Sequence, residues 1–135
     1  MKYLLVSACV LTIQFIGLSQ DIKGAWINEL GSILAIDSIA ANGVIIGSYI
    51  SSSGVDGKVF RLTGAVNRGS SPVISISFSV LWDGYSSITS WTGYIDTDQQ
   101  GRYIKTMWHL VRPDEVEPWE RIITNSSTFR PVQQK

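Results

Sequence analysis

Cysteine is almost missing from this chain of 135 residues, and the single one, Cys9, lies in an apolar N-terminal run. Once that run is removed no thiol remains, so the fold rests on no disulfide and no chemistry uses a cysteine nucleophile. Histidine is as scarce: His109 stands alone, on the outward parity of "TMWHL" and with no carboxylate partner by spacing. A metal centre needs more ligands than that, and a histidine base needs a partner to orient it. The reading is therefore of a protein that is not an enzyme and holds no metal or cofactor. Charge of either sign is also not in excess, since losing Lys2 with the leader takes the 11 basic residues to 10 against 11 acidic ones. That balance gives no reason to expect a nucleic acid or an anionic membrane as partner.

Long apolar runs are absent after the first nineteen residues. "MKYLLVSACVLTIQFIGLS" carries Lys2, then apolar residues from Tyr3 to Leu18, and ends in the small residues Gly17 and Ser19. It reads as a secretory signal peptide spanning 1–19, leaving 20–135 as one exported domain, extracellular or periplasmic. At roughly 16 residues, with Gln14 inside it, the run falls short of the about 20 that a membrane span needs. A second reading takes "VSAC", Val6 to Cys9, as the box before a lipid-modified cysteine, although only Tyr3, Leu4 and Leu5 precede it as an apolar region.

Helical periodicity is missing too. Beyond Ile22 the pattern is period two, broken by the turn signals "ANGV" (41 to 44), "GVDG" (54 to 57), "NRGSSP" (67 to 72), "WDGY" (82 to 85) and "DQQGR" (98 to 102). Asn42-Gly43 predicts a two-residue type I′ turn, with positive φ at both positions, joining strands over Ile33 to Ala40 and Val44 to Ser51. "RPDEVEPW", 112 to 119, predicts one helical turn between its prolines. The chain reads as all-β, an eight-stranded antiparallel up-and-down barrel, with a two-sheet sandwich as the other architecture.

Residues two apart on a strand share a face, so parity sorts them. In "ISISFSVLW" the inner set is Ile74, Ile76, Phe78, Val80 and Trp82. The same test makes "GAWINELGS" one strand with Trp26, Asn28, Leu30 and Ser32 inside. It further places inside Gly47, Tyr49 and Ser51; Ser87, Thr89, Trp91 and Gly93; Ile104, Thr106, Trp108 and Leu110; and Ile123, Asn125, Ser127 and Phe129. Each inner face is apolar at one end and polar at the other. Buried hydroxyls and amides need partners, and several of the five tryptophans fall on the same faces. A tryptophan-walled pocket with a few convergent polar groups is the usual design of a small-molecule site. A lipocalin-like carrier of another apolar ligand and an aromatic sugar-binding barrel remain open on these grounds.

The blocks "GAWINELGS", "GSYIS", "VLWDGY", "SSITSWTGYI", "KTMWHLV", "PWERI" and "STF" carry more than a pattern. In order and spacing they resemble the successive strand motifs of the avidin and streptavidin family, from Gly24 to Phe129. The resemblance implies biotin as the ligand. It implies Asn28, Ser32 and Tyr49 as donors to the ureido oxygen, Ser51 as acceptor for one ureido N–H, and Thr89 beside the thiophane sulfur. Trp82, Trp91 and Trp108, with Leu110, match the apolar box. Ser87, and backbone amides near Ser53 or Gly54 in a capping loop from 52 to 57, match the carboxylate contacts. Trp119 matches a tryptophan that the family donates from a neighbouring subunit, which implies a homotetramer, with a dimer as the smaller assembly. The family's second ureido N–H acceptor, Asp or Asn, falls on Ser127, a shorter and uncharged group, with Asn125 as substitute if the strand is bulged. Asn125-Ser126-Ser127 is also a glycosylation sequon.

Overall fold

A strand with one face in a core and one in solvent alternates at period two, and eight segments of the chain do so. The computed structural model describes residues 21–54 and 57–133. The leader reading for 1–19, with Cys9 and its "VSAC" box, lies outside the described residues, as do positions 55 and 56 of "GVDG". The strands are β1 (Gly24–Asn28), β2 (Ile33–Ile39), β3 (Val44–Ile50), β4 (Val59–Asn67), β5 (Ile74–Trp82), β6 (Ser87–Asp98), β7 (Gly101–Val111) and β8 (Ile122–Pro131). Each pairs antiparallel with the next, and β8 returns to β1, from Trp26↔Pro131 to Asn28↔Phe129, so the sheet closes into a barrel rather than folding into a sandwich. Closure leaves no unpaired strand edge.

The barrel is plugged at one end. Ile22, Ile36, Ile45, Ile95, Ile104 and Phe129 are buried there, and the Trp26 indole N–H donates to the Ile22 carbonyl at 3.0 Å. Small residues let the wall curve around this plug. A Cβ on Gly93 would overlap the Lys105 carbonyl oxygen, and one on Gly47 the Ala35 carbonyl oxygen, so both strands need a bare backbone at these points. The connections β1–β2, β3–β4, β5–β6 and β7–β8 all lie at the other end, where the inner faces turn polar.

Three local expectations are corrected. "GAWINELGS" is not one strand: β1 stops at Asn28 and the chain turns, with Gly31 N–H donating to Asn28 O and Asn28 N–H to Ser32 O, both at 3.0 Å. Leu30 stands at the tip, 69% exposed, instead of on the inner face. The "ANGV" hairpin is likewise a three-residue loop, 41–43, closed by Ala40 N–H to Val44 O at 2.8 Å. Among its non-glycine residues none has positive φ; Gly43 alone does, at 87°. A type I turn followed by a left-handed glycine matches strand twist as a I′ turn does and asks positive φ of the glycine only. Finally, the helical turn expected between Pro113 and Pro118 is a short 3-10 helix that begins at Pro118 and ends at Glu120, because proline is suited to a first helical position.

Candidate functional site

At the open end the inner faces line a cavity of about 260 Å³. Its floor is polar. Asn28, Ser32, Thr89 and Ser127 are each under 9% exposed, and Tyr49 is 4% exposed. Asn28 closes β1 and Ser32 opens the way into β2, so the hairpin, not a single strand, sets them side by side.

Hydrogen bonds decide what each group can offer. Asn28 Oδ1 accepts from the Leu30 N–H at 3.1 Å and the Ser32 N–H at 2.9 Å. Those two donors orient the amide, and its NH2 is what remains for the cavity. Ser32 Oγ accepts from the Ser52 N–H and pairs with Ser52 Oγ, both at 3.1 Å, so when Ser52 donates, the Ser32 hydrogen is left for the Tyr49 oxygen or for a ligand. Burial raises the Tyr49 phenol above its ordinary value, against the lowering hydrogen bond with Ser32, while Glu29 adds a smaller rise. Tyr49 is therefore a neutral O–H donor across the physiological range. Ser51 is wired the other way: its hydroxyl donates to the Ser53 carbonyl at 2.9 Å, which leaves an oxygen lone pair to accept.

The walls are aromatic. Trp82 meets Tyr49 edge-on at 5.8 Å, Trp91 lies 5.1 Å from Tyr49, and Phe78 stacks beneath Trp91 at 5.0 Å. Two of the indoles are held by inner hydroxyls, with Trp82 Nε1 donating to Thr89 Oγ1 at 2.8 Å and Trp108 Nε1 to Ser127 Oγ at 3.2 Å. The indole N–H of Trp91 is buried with no partner among the described residues. Leu110 continues the wall above Trp108.

The register of β7 and β8 runs without a shift, from Ile104↔Phe129 through Thr106↔Ser127 to Val111↔Ile122. No bulge brings Asn125 in. Its side chain is exposed and accepts from the Ser126 N–H at 2.7 Å, so Ser127 keeps the position beside Trp108.

The inner cavity adjoins an outer one of about 230 Å³, with Ser51, Ser53, Trp82 and Leu110 lining both. Ser87 lines the outer cavity only, and its hydroxyl donates to the Tyr85 carbonyl at 3.0 Å. Tyr85 and Arg112, also on this outer wall, were not among the residues picked from the sequence. Arg112 continues the alternation Trp108, Leu110, Arg112 one step past the end of β7, which was the available signal. Leu30 and Ile123 border the inner cavity as well. Trp119 sits on the 3-10 helix and is 75% exposed. Among the described residues no group of three or more His, Cys, Asp or Glu could hold a metal.

A closed antiparallel barrel with a polar-floored, tryptophan-walled cavity at one mouth defines a small-ligand-binding up-and-down barrel. Within that class the chain belongs to the avidin family, whose sequence model matches residues 17–132. It is 30% identical over 95 residues to avidin-related protein 4/5 of Gallus gallus, a match covering 67% of this chain and 62% of that protein. The chain thus matches less than two thirds of that relative's length. Among solved structures it is similar to Xenavidin, with TM-score 0.74 and 31% identity over 84% of this chain and 98% of that one. It is also similar to a biotin binding protein from chicken, with TM-score 0.74 and 25% identity over the same shares, 84% and 98%.

Proposed function

We propose that this chain is an exported, non-catalytic protein that binds and sequesters biotin, one per barrel. The observation that carries the reading is the wiring of the polar floor. Asn28 offers only its NH2, and Ser32 and Tyr49, hydrogen-bonded to each other, leave a neutral phenol hydrogen, so these donors converge on one cavity. Buried donors without an acceptor are costly, at about 1–3 kcal/mol each, and a ureido oxygen can take several at once because it polarises toward an oxyanion. Ser51 and Ser127 supply the neutral acceptors for the two ureido N–H groups. Trp82, Trp91, Trp108 and Leu110 enclose the ring and aliphatic chain, with Thr89 near the sulfur. Ser53 and Ser87 flank the exit through which the carboxylate reaches solvent.

The assembly reading has its own support. Leu81, Ile88, Val111 and Ile122 are register neighbours across β5 to β8, and all face outward, 40–59% exposed. A contiguous exposed apolar row is a feature of interaction sites, and Trp119, likewise exposed, stands in the β7–β8 connection close to its end. In a homotetramer, or in the dimer within it, that tryptophan covers the neighbouring chain's ligand. Export rests on the leader-like run 1–19.

Native mass spectrometry of the exported chain, with and without biotin, tests the reading. One biotin per chain, bound to an oligomer of even subunit number, is the expected result. Retention of fatty acids or simple sugars in place of biotin overturns it.

A further inference from the structure

The seam that closes the barrel has one short stretch without a ladder, and it lies beside the polar floor. β8 pairs with β7 from Ile104↔Phe129 to Val111↔Ile122, but its pairing with β1 stops at Asn28↔Phe129, where the chain turns away. Ser127 therefore has a paired strand on one side and the β1–β2 turn on the other. Hydrogen-bonded pairs alternate along an antiparallel ladder. The Val132 N–H donates to the Ala25 carbonyl at 2.9 Å, so the following such pair is Ile27↔Arg130. The next would set residue 29 opposite Thr128.

Glu29 meets that position with its side chain. Its Oε2 accepts the Thr128 N–H at 2.9 Å, so a carboxylate stands where a continuing strand would present a backbone carbonyl. On the β7 side the same residue is held by Lys105, whose Nζ donates to the Thr128 hydroxyl at 3.2 Å. The seam bond is one residue from Asn28 on one strand and one residue from Ser127 on the other. Glu29 is exposed and is not among the residues lining the cavity, so it acts on these two groups and not on a ligand directly. Burial is the main cause of the raised Tyr49 phenol, but the Glu29 charge adds to the rise, which places this carboxylate near the floor.

We infer that Glu29 is a positioning residue, whose carboxylate completes the seam between β1 and β8 and fixes the spacing of Asn28 and Ser127 for a ligand that bridges them. The inference rests on the biotin reading, in which Asn28 donates to the ureido oxygen and Ser127 accepts from a ureido N–H. A floor already held at the right spacing leaves little ordering for binding to bear. An open seam would make the ligand impose that spacing itself. The penalty is bounded by the net worth of the lost hydrogen bond, which corresponds to about three- to tenfold in retention.

The test follows displacement of labelled biotin over time, together with exchange of the Thr128 amide hydrogen in the folded proteins. Glu29→Ala should speed release by about three- to tenfold and open the Thr128 amide to exchange. Glu29→Gln keeps an oxygen for that N–H and should restore slow release and protection together. In a Ser127→Ala background the spacing no longer matters, so adding Glu29→Ala should change release by less than about twofold, a non-additivity that a general loss of stability does not give. Release unchanged in Glu29→Ala, release as fast in Glu29→Gln as in Glu29→Ala, or an equal effect with and without the Ser127 hydroxyl overturns the assignment of Glu29 while leaving biotin binding intact. A wild type that retains no labelled biotin overturns the biotin reading itself.

Discussion

Replacing Ser127 with Asp should slow the release of biotin by about tenfold, and the reason lies in how little the serine has to give. Ser127 is 3% exposed and its single side-chain oxygen already accepts the Trp108 indole N–H at 3.2 Å. A ureido N–H therefore shares a neutral oxygen with an indole. An Asp carboxylate supplies two oxygens, one for Trp108 and one for the ligand, and both bonds become charge-assisted. Exchanging a neutral for a charged acceptor is worth about 1–2 kcal/mol, which is roughly tenfold in affinity. The opposing effect is desolvation, since a carboxylate at this depth without ligand loses hydration and has only Trp108 to replace it. The variant should thus be less stable when empty and regain that loss with biotin bound, so that the ligand-induced rise in Tm is larger than in wild type.

The assay is displacement of labelled biotin by excess unlabelled biotin, followed over time, with the empty and loaded Tm measured alongside. Ser127→Ala serves as the reverse case: it leaves the Trp108 N–H and a ureido N–H without an acceptor and should speed release by tenfold or more, at about 1–3 kcal/mol. Release from a folded Ser127→Asp protein that is no slower than from wild type refutes the account. Because the β7–β8 register has no shift, Asn125 offers no substitute acceptor, and Asn125→Ala should leave the release rate unchanged.

Most of the barrel and much of this floor were legible in the alternation of side chains, though not always for the geometric reason first assigned. Asn28 and Ser32 were placed together as members of one strand, yet they meet across a hairpin. A three-residue loop makes residues i and i+4 cross-strand partners, and partners in a ladder share a face just as alternate residues on one strand do. Parity therefore named the pair that meets on the floor, while Leu30, placed with them on one strand face, is carried by the turn to the rim, 69% exposed, where it still borders the cavity. Asn42-Gly43 marked its hairpin correctly but not its type, because a left-handed glycine serves both a I′ turn and the last position of a three-residue loop. Arg112 opens "RPDEVEPW", which reads as a helical turn and not as a continuation of β7. The alternation that begins in β7 nevertheless carries one residue beyond the ladder, and that residue borders the exit. Hydrogen-bond direction was the part no pattern contained: whether Asn28 donates or accepts depends on two backbone N–H groups of a turn that had not been recognised.

Three further outcomes follow from the same contacts. Asn28→Asp keeps an oxygen for Leu30 and Ser32 but turns the NH2 into a second acceptor facing the ligand oxygen, so biotin affinity by calorimetry should fall roughly 100-fold or more, and an unchanged affinity would reverse the amide orientation. Tyr49 is held protonated in the fold by burial. Its contribution to stability is accordingly full below the unfolded phenol value of about 10 and declines as pH rises from there toward the raised folded value. Chemical denaturation of wild type against Tyr49→Phe between about pH 9 and about pH 11, roughly one unit either side of that reference, should show the extra alkaline loss in wild type only. Trp119→Lys removes a side chain that is 75% exposed, so the Tm of an isolated subunit should change little. If the indole instead covers a neighbour's cavity beside the outward row of Leu81, Ile88, Val111 and Ile122, the substitution places a charge in an apolar contact and uncovers the bound ligand. Faster biotin release and a smaller assembly by native mass spectrometry should then appear together; loss of either one without the other would separate the tryptophan from the site or from the interface.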